Sequence, residues 1–306
     1  MESRFFSAAQ LHQIGTRSRD WLLTLQQRAD PAAHGSTNYA FQILLGLWIC
    51  ERGLLNDTEL SSTRIYAHNI YQRIPKGNNF AIDLLSSDPA LVLFSLGILR
   101  FFEIYDSPLE RIAAHISTLL QEHSDQNELE ANGLFLTRFL LQQLYLHAPL
   151  PSYSLQEISA RDLLNADEVT IRDVVKNIVA ATRYGQTLPT LKMEKTDVLS
   201  ILASLLPVLT LDYFRLYNLE IGMQILRAMR YLHLYENRGW RTWLQFLVAQ
   251  QQPDGRFGFF AHELTQLHLS GESEQDFRVY LPYTVSFLWT IAEVVRPQFT
   301  LAQSFS

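Results

Sequence analysis

Apolar residues recur along this chain with helical spacing, and the strict alternation of a half-buried strand is almost absent. The pattern predicts helices near residues 7–28, 38–53, 57–74, 89–104, 108–123, 126–147, 167–184, 196–210, 214–235, 239–252 and 280–296. Several starts carry cap chemistry. Asn56-Asp57-Thr58-Glu59, Asp125-Gln126-Asn127-Glu128 and Ser154-Leu155-Gln156-Glu157 place an acceptor before an acidic third position, and Ser107-Pro108-Leu109-Glu110 adds a proline at the first helical position. Short segments join most helices, as helical hairpins require. The longer irregular stretches, 75–87, 148–165, 185–195 and 253–279, lack the Gly/Ser composition of a flexible linker, so residues 1–306 read as one domain.

Two kinds of helix alternate. The segment from Arg111 to Glu122 has a polar face, whereas Ala90-Leu91-Val92-Leu93-Phe94-Ser95-Leu96-Gly97-Ile98-Leu99 is apolar nearly all round. A helix apolar on every side must be buried on every side. An outer ring of amphipathic helices around an inner ring of apolar ones satisfies both patterns.

The stretch Phe246-Leu247-Val248-Ala249-Gln250-Gln251-Gln252-Pro253-Asp254-Gly255-Arg256-Phe257-Gly258 ends a helix and turns sharply. Proline presets φ, and glycine admits the positive φ that other residues resist. Its spacing, aromatic-Leu-x3-Gln-x3-Gly-x-aromatic, resembles the repeat of squalene cyclases and protein prenyltransferase β-subunits. Trp21-Leu22-x3-Gln26 repeats the first half. The resemblance implies an all-α fold, a helical-hairpin α/α-toroid of about ten to twelve helices, in which the glutamine and the aromatic tie one helix end to its neighbour. Phe257 stands where tryptophan is usual, and Thr242-Trp243 replaces the basic-small pair expected upstream. The family's chemistry does not follow. The chain has no adjacent pair of aspartates, hence neither the Asp-x-Asp-Asp acid nor the Asp-Asp-x-x-Asp magnesium motif. With one cysteine it cannot build the zinc set of a lanthionine cyclase. The expectation is a protein that works without metal or cofactor.

Composition narrows the partners. The chain is 47% hydrophobic and 18% charged, below the roughly 25% charged of an average domain, so much of it is expected to be buried. Net charge is −6 without a Lys/Arg block, which leaves no footprint for nucleic acid. Cys50 lies in an apolar run and reads as a buried thiol. The N-terminal residues lack a signal peptide's layout, and apolar runs of about ten residues fall short of a membrane span. A cytoplasmic location is expected, and a homodimer is compatible.

Candidate chemistry is sparse. His262 and His268 bracket Glu263 without the spacing of a zinc-binding helix, and a solvated helix is the plainer reading. Asp254 reads as a turn residue, and His147 and His233 as helix-end caps. In a toroid the starts of the inner helices would converge on one mouth of a central cavity, where free N–H groups favour anions. There lie His34, Thr37, Asn38 and Tyr39; Asp88; Asn132 and Arg138; Tyr217, Asn218 and Glu220; and Tyr280 with Tyr283. Thr37, Asn38 and Asp88 are equally ordinary N-caps, and the tyrosines ordinary rim aromatics. Taken together they predict two readings. The first is a small-molecule- or peptide-modifying protein of specialised metabolism, cyclase-like, acting on a largely apolar substrate. In it His34, Asp88, Glu220 and Tyr283 handle protons, and Asn38, Tyr39, Asn132, Arg138, Tyr217 and Tyr280 hold the substrate. The second is a non-catalytic toroid that binds or scaffolds.

Overall fold

Helical periodicity is realised as helix almost everywhere. The computed structural model describes residues 5–28, 36–73, 88–105, 108–122, 134–146, 150, 155, 158–187, 196–234, 239–269, 271–296 and 298–305, and among these there is no strand. In chain order the helices are α1 (Ala8–Arg28), α2 (Ser36–Trp48), α3 (Ser61–Arg73), α4 (Pro89–Phe101), α5 (Pro108–Glu122), α6 (Phe135–Gln143) and α7 (Ala160–Leu164). There follow α8 (Glu168–Thr182), α9 (Thr196–Arg215), α10 (Leu219–Tyr231), α11 (Gly239–Ala249), α12 (Ala261–Gln266), α13 (Glu272–Gln275) and α14 (Leu281–Val295). π-Helical turns extend α2 over Ile49–Leu55 and join α13 to α14 over Asp276–Tyr280.

The apolar helices pack as neighbours in the order α6, α4, α2, α14, α10. Every residue of α4 from Ala90 to Leu99 is buried. Helices with a polar face flank this rank: α1 and α3 lie on α2, α5 on α4 and α6, α8 and α9 on α10, and α11 on α14. Between α6 and α10 stands the buried ring of Tyr184, whose centroid is 6.1 Å from Phe135, 5.2 Å from Phe139 and 5.6 Å from Tyr231. Among the described residues, α9 over Val198–Arg215 is long and apolar enough to cross a membrane by length and composition alone; here it packs on α10 and α7.

Element boundaries differ from the pattern where local chemistry intervenes. The expected start at 57 moves to Ser61, because Asn56 and Leu60 adopt left-handed φ of 56° and 51°. Asp57 spends its carboxylate on the Glu59 amide, 2.8 Å away. The first turn of α3 is capped instead by the fully buried Glu51, which accepts from the amides of Ser62 (3.1 Å) and Thr63 (3.0 Å) and the Thr63 hydroxyl (2.7 Å). Helix α9 continues past Pro207 to Arg215. The stretches 148–165 and 253–279, expected to be irregular, contain α7, α12 and α13. The caps expected at Ser107, Asp125 and Ser154, and His147, lie outside the described residues.

The glutamine-rich turn is a staple. Gln251 Nε2 donates to the Ile14 carbonyl (3.0 Å) and to Ser18 Oγ (2.9 Å) on α1, and Ser18 Oγ donates to the Gly255 carbonyl (2.8 Å). The Phe257 amide donates to Thr284 Oγ1 of α14 (3.0 Å), and the Phe257 ring stacks on Phe287 with centroids 4.9 Å apart. Asp254 accepts from the Arg256 amide, as a turn residue should. One short segment thus ties α11 to α1 and α14.

Candidate functional site

Helices α10 and α14 are apolar on most faces, but each carries one polar stripe at helical spacing. On α10 it is Glu220, Gln224, Arg227 and Tyr231; on α14 it is Tyr283, Ser286, Trp289 and Glu293. Residues three and four apart share a helix face, and the two stripes belong to neighbouring helices. Two cavities lie along them. One, of about 270 Å³, is bounded by Phe135 of α6, by Arg172, Val175 and Lys176 of α8, and by Tyr184 and Tyr231. The other, of about 390 Å³, is bounded by Glu220, Met223, Pro282, Tyr283 and Ser286. Gln224, Arg227 and Trp289 line both.

Arg227 is the central group. Its guanidinium carbon is 4.4 Å from the Trp289 ring centroid, a cation–π contact, and its Nη1 donates to Thr290 Oγ1 at 2.6 Å. Trp289 also meets Phe94 of α4 edge-on, with centroids 6.0 Å apart. The Trp289 indole Nε1–H is buried and has no partner among the described residues. Glu220 receives a two-pronged ion pair from Arg172 (2.6 and 3.2 Å) and a third bond from Gln224 Nε2 (3.1 Å). The bond to Glu220 holds the Arg172 guanidinium above its usual pKa.

Deeper in, Tyr231 donates to the carboxylate of Glu293, which also accepts from the Leu301 amide at 2.8 Å. Burial, and then the nearby Glu293 charge, push both the Tyr231 and Tyr184 phenols well above their ordinary range. Arg227 opposes that shift in each, as a cation beside a phenol must. No family model matches the chain, and no curated protein and no solved structure matches it.

The residues expected at the rim fall into groups. Glu220 and Tyr283 line the same cavity. Tyr217, Tyr280 and Tyr283 converge on Phe260, at centroid distances of 6.2, 5.7 and 4.3 Å. Tyr217 does structural duty there: its hydroxyl donates to Gln250 Oε1 (2.9 Å) and accepts from the Phe259 amide (2.8 Å). The Tyr283 phenol is raised, first by burial and then by Glu220. Tyr280 lies under Arg256, whose Cζ is 4.3 Å from the ring centroid. Arg256 and Arg28 both pair with the buried Asp276 at 2.8 Å, linking the end of α1 to the start of α14.

The others lie apart from the cavities. Asp88 is exposed and caps α4 through the Ala90 amide at 2.9 Å, and Asn218 caps α10. Tyr39 stacks on Phe277 with centroids 5.1 Å apart. Asn38 is half-buried, and its Oδ1 has no partner among the described residues. Arg138 is buried and donates from Nη2 to the Leu120 carbonyl, tying α6 to α5. His34 and Asn132 lie outside the described residues. His262 is exposed and bonded to Gln266, and His268 and His233 are exposed helix-end residues with left-handed φ. Arg172, Lys176, Arg227 and Trp289 were not expected from the sequence. For Arg227 and Trp289 the signal was the polar stripe on an apolar helix, which becomes meaningful only when the facing helix is known; Arg172 and Lys176 stand on the amphipathic α8 and carried no such signal.

Proposed function

We propose that the chain is a small-molecule-binding protein built as an α/α-toroid, with α2, α4, α6, α10 and α14 as its inner rank. The neighbour order of these helices, the Tyr184 ring between α6 and α10, and the stapled turn support that architecture. The observation that carries the functional reading is the pair of cavities sharing Arg227 and Trp289, lined by aromatic and aliphatic side chains with a few polar groups. That is the make-up of ligand sites in general.

Proton-transfer chemistry is the second reading, favoured by Glu220 and Tyr283 sharing one cavity. Binding has the stronger support, because the carboxylates near the cavities are committed. Glu220 is held by Arg172 and Gln224, and Glu293 by Tyr231 and Leu301; Asp88 lies apart from the cavities, on the amide it caps.

The test is fluorescence titration with N-phenyl-1-naphthylamine, an uncharged apolar probe. One molecule should bind per chain. The double variant Val179→Phe with Ser286→Phe, which narrows both cavities, should weaken binding at least about tenfold while the thermal midpoint stays near that of the parent. Unchanged binding in the folded double variant would place the probe elsewhere and sink the proposal.

A further inference from the structure

The hydrogen-bonding capacity around these cavities is unbalanced. Among the described lining residues the one carboxylate is occupied: Glu220 takes three bonds from Arg172 and Gln224. The donors are not. Among the described residues Trp289 Nε1–H is buried without a partner and Arg227 makes a single hydrogen bond, through Nη1 to Thr290. Most of the guanidinium's N–H donors are therefore uncommitted among the described residues, on a side chain that lines both cavities. Charge points the same way. Among the described lining residues three cations, Arg172, Lys176 and Arg227, face one carboxylate, Glu220, in a chain whose net charge is −6. A buried donor left unpaired costs stability, and a guanidinium in an apolar setting favours an anionic acceptor above a neutral one.

We infer that the ligand is an amphipathic anion, with a carboxylate, sulfonate or phosphate seated against Arg227 and an apolar body lying among Phe135, Val175 and Tyr231. The inference rests on the small-molecule-binding reading and adds the chemical class. The Trp289 ring and the Thr290 hydroxyl hold the guanidinium in place, so the cation is positioned before the ligand arrives. The paired Arg172 contributes field rather than direct bonds.

The experiment compares two probes with the same apolar skeleton, 8-anilinonaphthalene-1-sulfonate and the uncharged N-phenyl-1-naphthylamine, titrated by fluorescence into the full chain. The sulfonate should bind at least about tenfold more tightly. Arg227→Gln should abolish that preference, whatever it does to the affinity for the neutral probe. Arg227→Lys, which keeps the charge, should retain most of it, and Arg215→Gln, an exposed arginine at the end of α9, should change nothing. Displacement of the sulfonate from the unaltered protein by decanoate and by decanol gives a readout that needs no variant: decanoate should compete at least about tenfold better.

Equal affinity for the two probes would overturn the anion while leaving the cavity reading intact. A preference that survives Arg227→Gln would also overturn it, since the anion would then sit elsewhere. Failure of both probes to bind would overturn both.

Discussion

The side-chain amide of Gln251 donates 3.0 Å to the backbone carbonyl of Ile14, across 237 positions of sequence. The same nitrogen reaches Ser18 Oγ, which in turn bonds the Gly255 carbonyl. The turn after α11 is thereby fastened to the middle of α1. This placement requires a donor, because everything the nitrogen meets is an acceptor. Gln251→Ala should cost about 1–2 kcal/mol in urea unfolding. Gln251→Glu should cost more, since it sets a carboxylate against a carbonyl. Equal losses for the two would show that the amide's donor character is irrelevant.

Gly255 is required in that turn for two reasons. Its φ is +106°, and a Cβ built on it would lie 2.1 Å from the Arg17 carbonyl oxygen. Gly255→Ala must therefore move α1 away from the turn. A loss of about 3 kcal/mol is expected, with a fall in thermal midpoint on calorimetry.

Glu51 caps a helix that begins ten residues after it. Glu51→Gln keeps one acceptor oxygen and should cost about 1 kcal/mol; Glu51→Ala frees three donors and should cost about 3 kcal/mol. Hydrogen exchange would locate the effect, with faster exchange at the amides of Ser62 and Thr63, whose acceptors are lost.

The buried phenols of Tyr184 and Tyr231 make stability sensitive to alkali. Their folded pKa values lie above the unfolded ones, so the native state holds these protons more tightly. The stabilisation is fully present below the ordinary tyrosine value near 10 and falls as pH rises past it, by at most about 1.4 kcal/mol per pH unit for each phenol. Urea midpoints measured from pH 8 to pH 11 should fall less steeply in Tyr231→Phe than in the parent. A parallel decline would show that Tyr231 ionises equally in both states.

Helical spacing, Asp88 ahead of Pro89, and the Pro-Asp-Gly turn were legible because each is settled within a few residues along the chain. Periodicity alone marked the longer helices and the all-round burial of Ala90–Leu99, but not the short α7, α12 and α13. Local signals failed where a distant group competed: α3 takes its cap from Glu51, so the cap read at Asn56-Asp57 was not used for the helix. The candidate site divided along the same line. Glu220 and Tyr283 could be singled out as polar residues near helix starts. Arg227 over Trp289 could not, because a side-chain contact across 62 positions depends on which helix faces which. What the sequence determined by itself was the type of the longer elements and the face each must hide, since backbone hydrogen bonds and side-chain period are local. Only the tertiary structure decided which hidden faces meet. It left an unpaired indole N–H and a half-paired guanidinium where α10 and α14 come together.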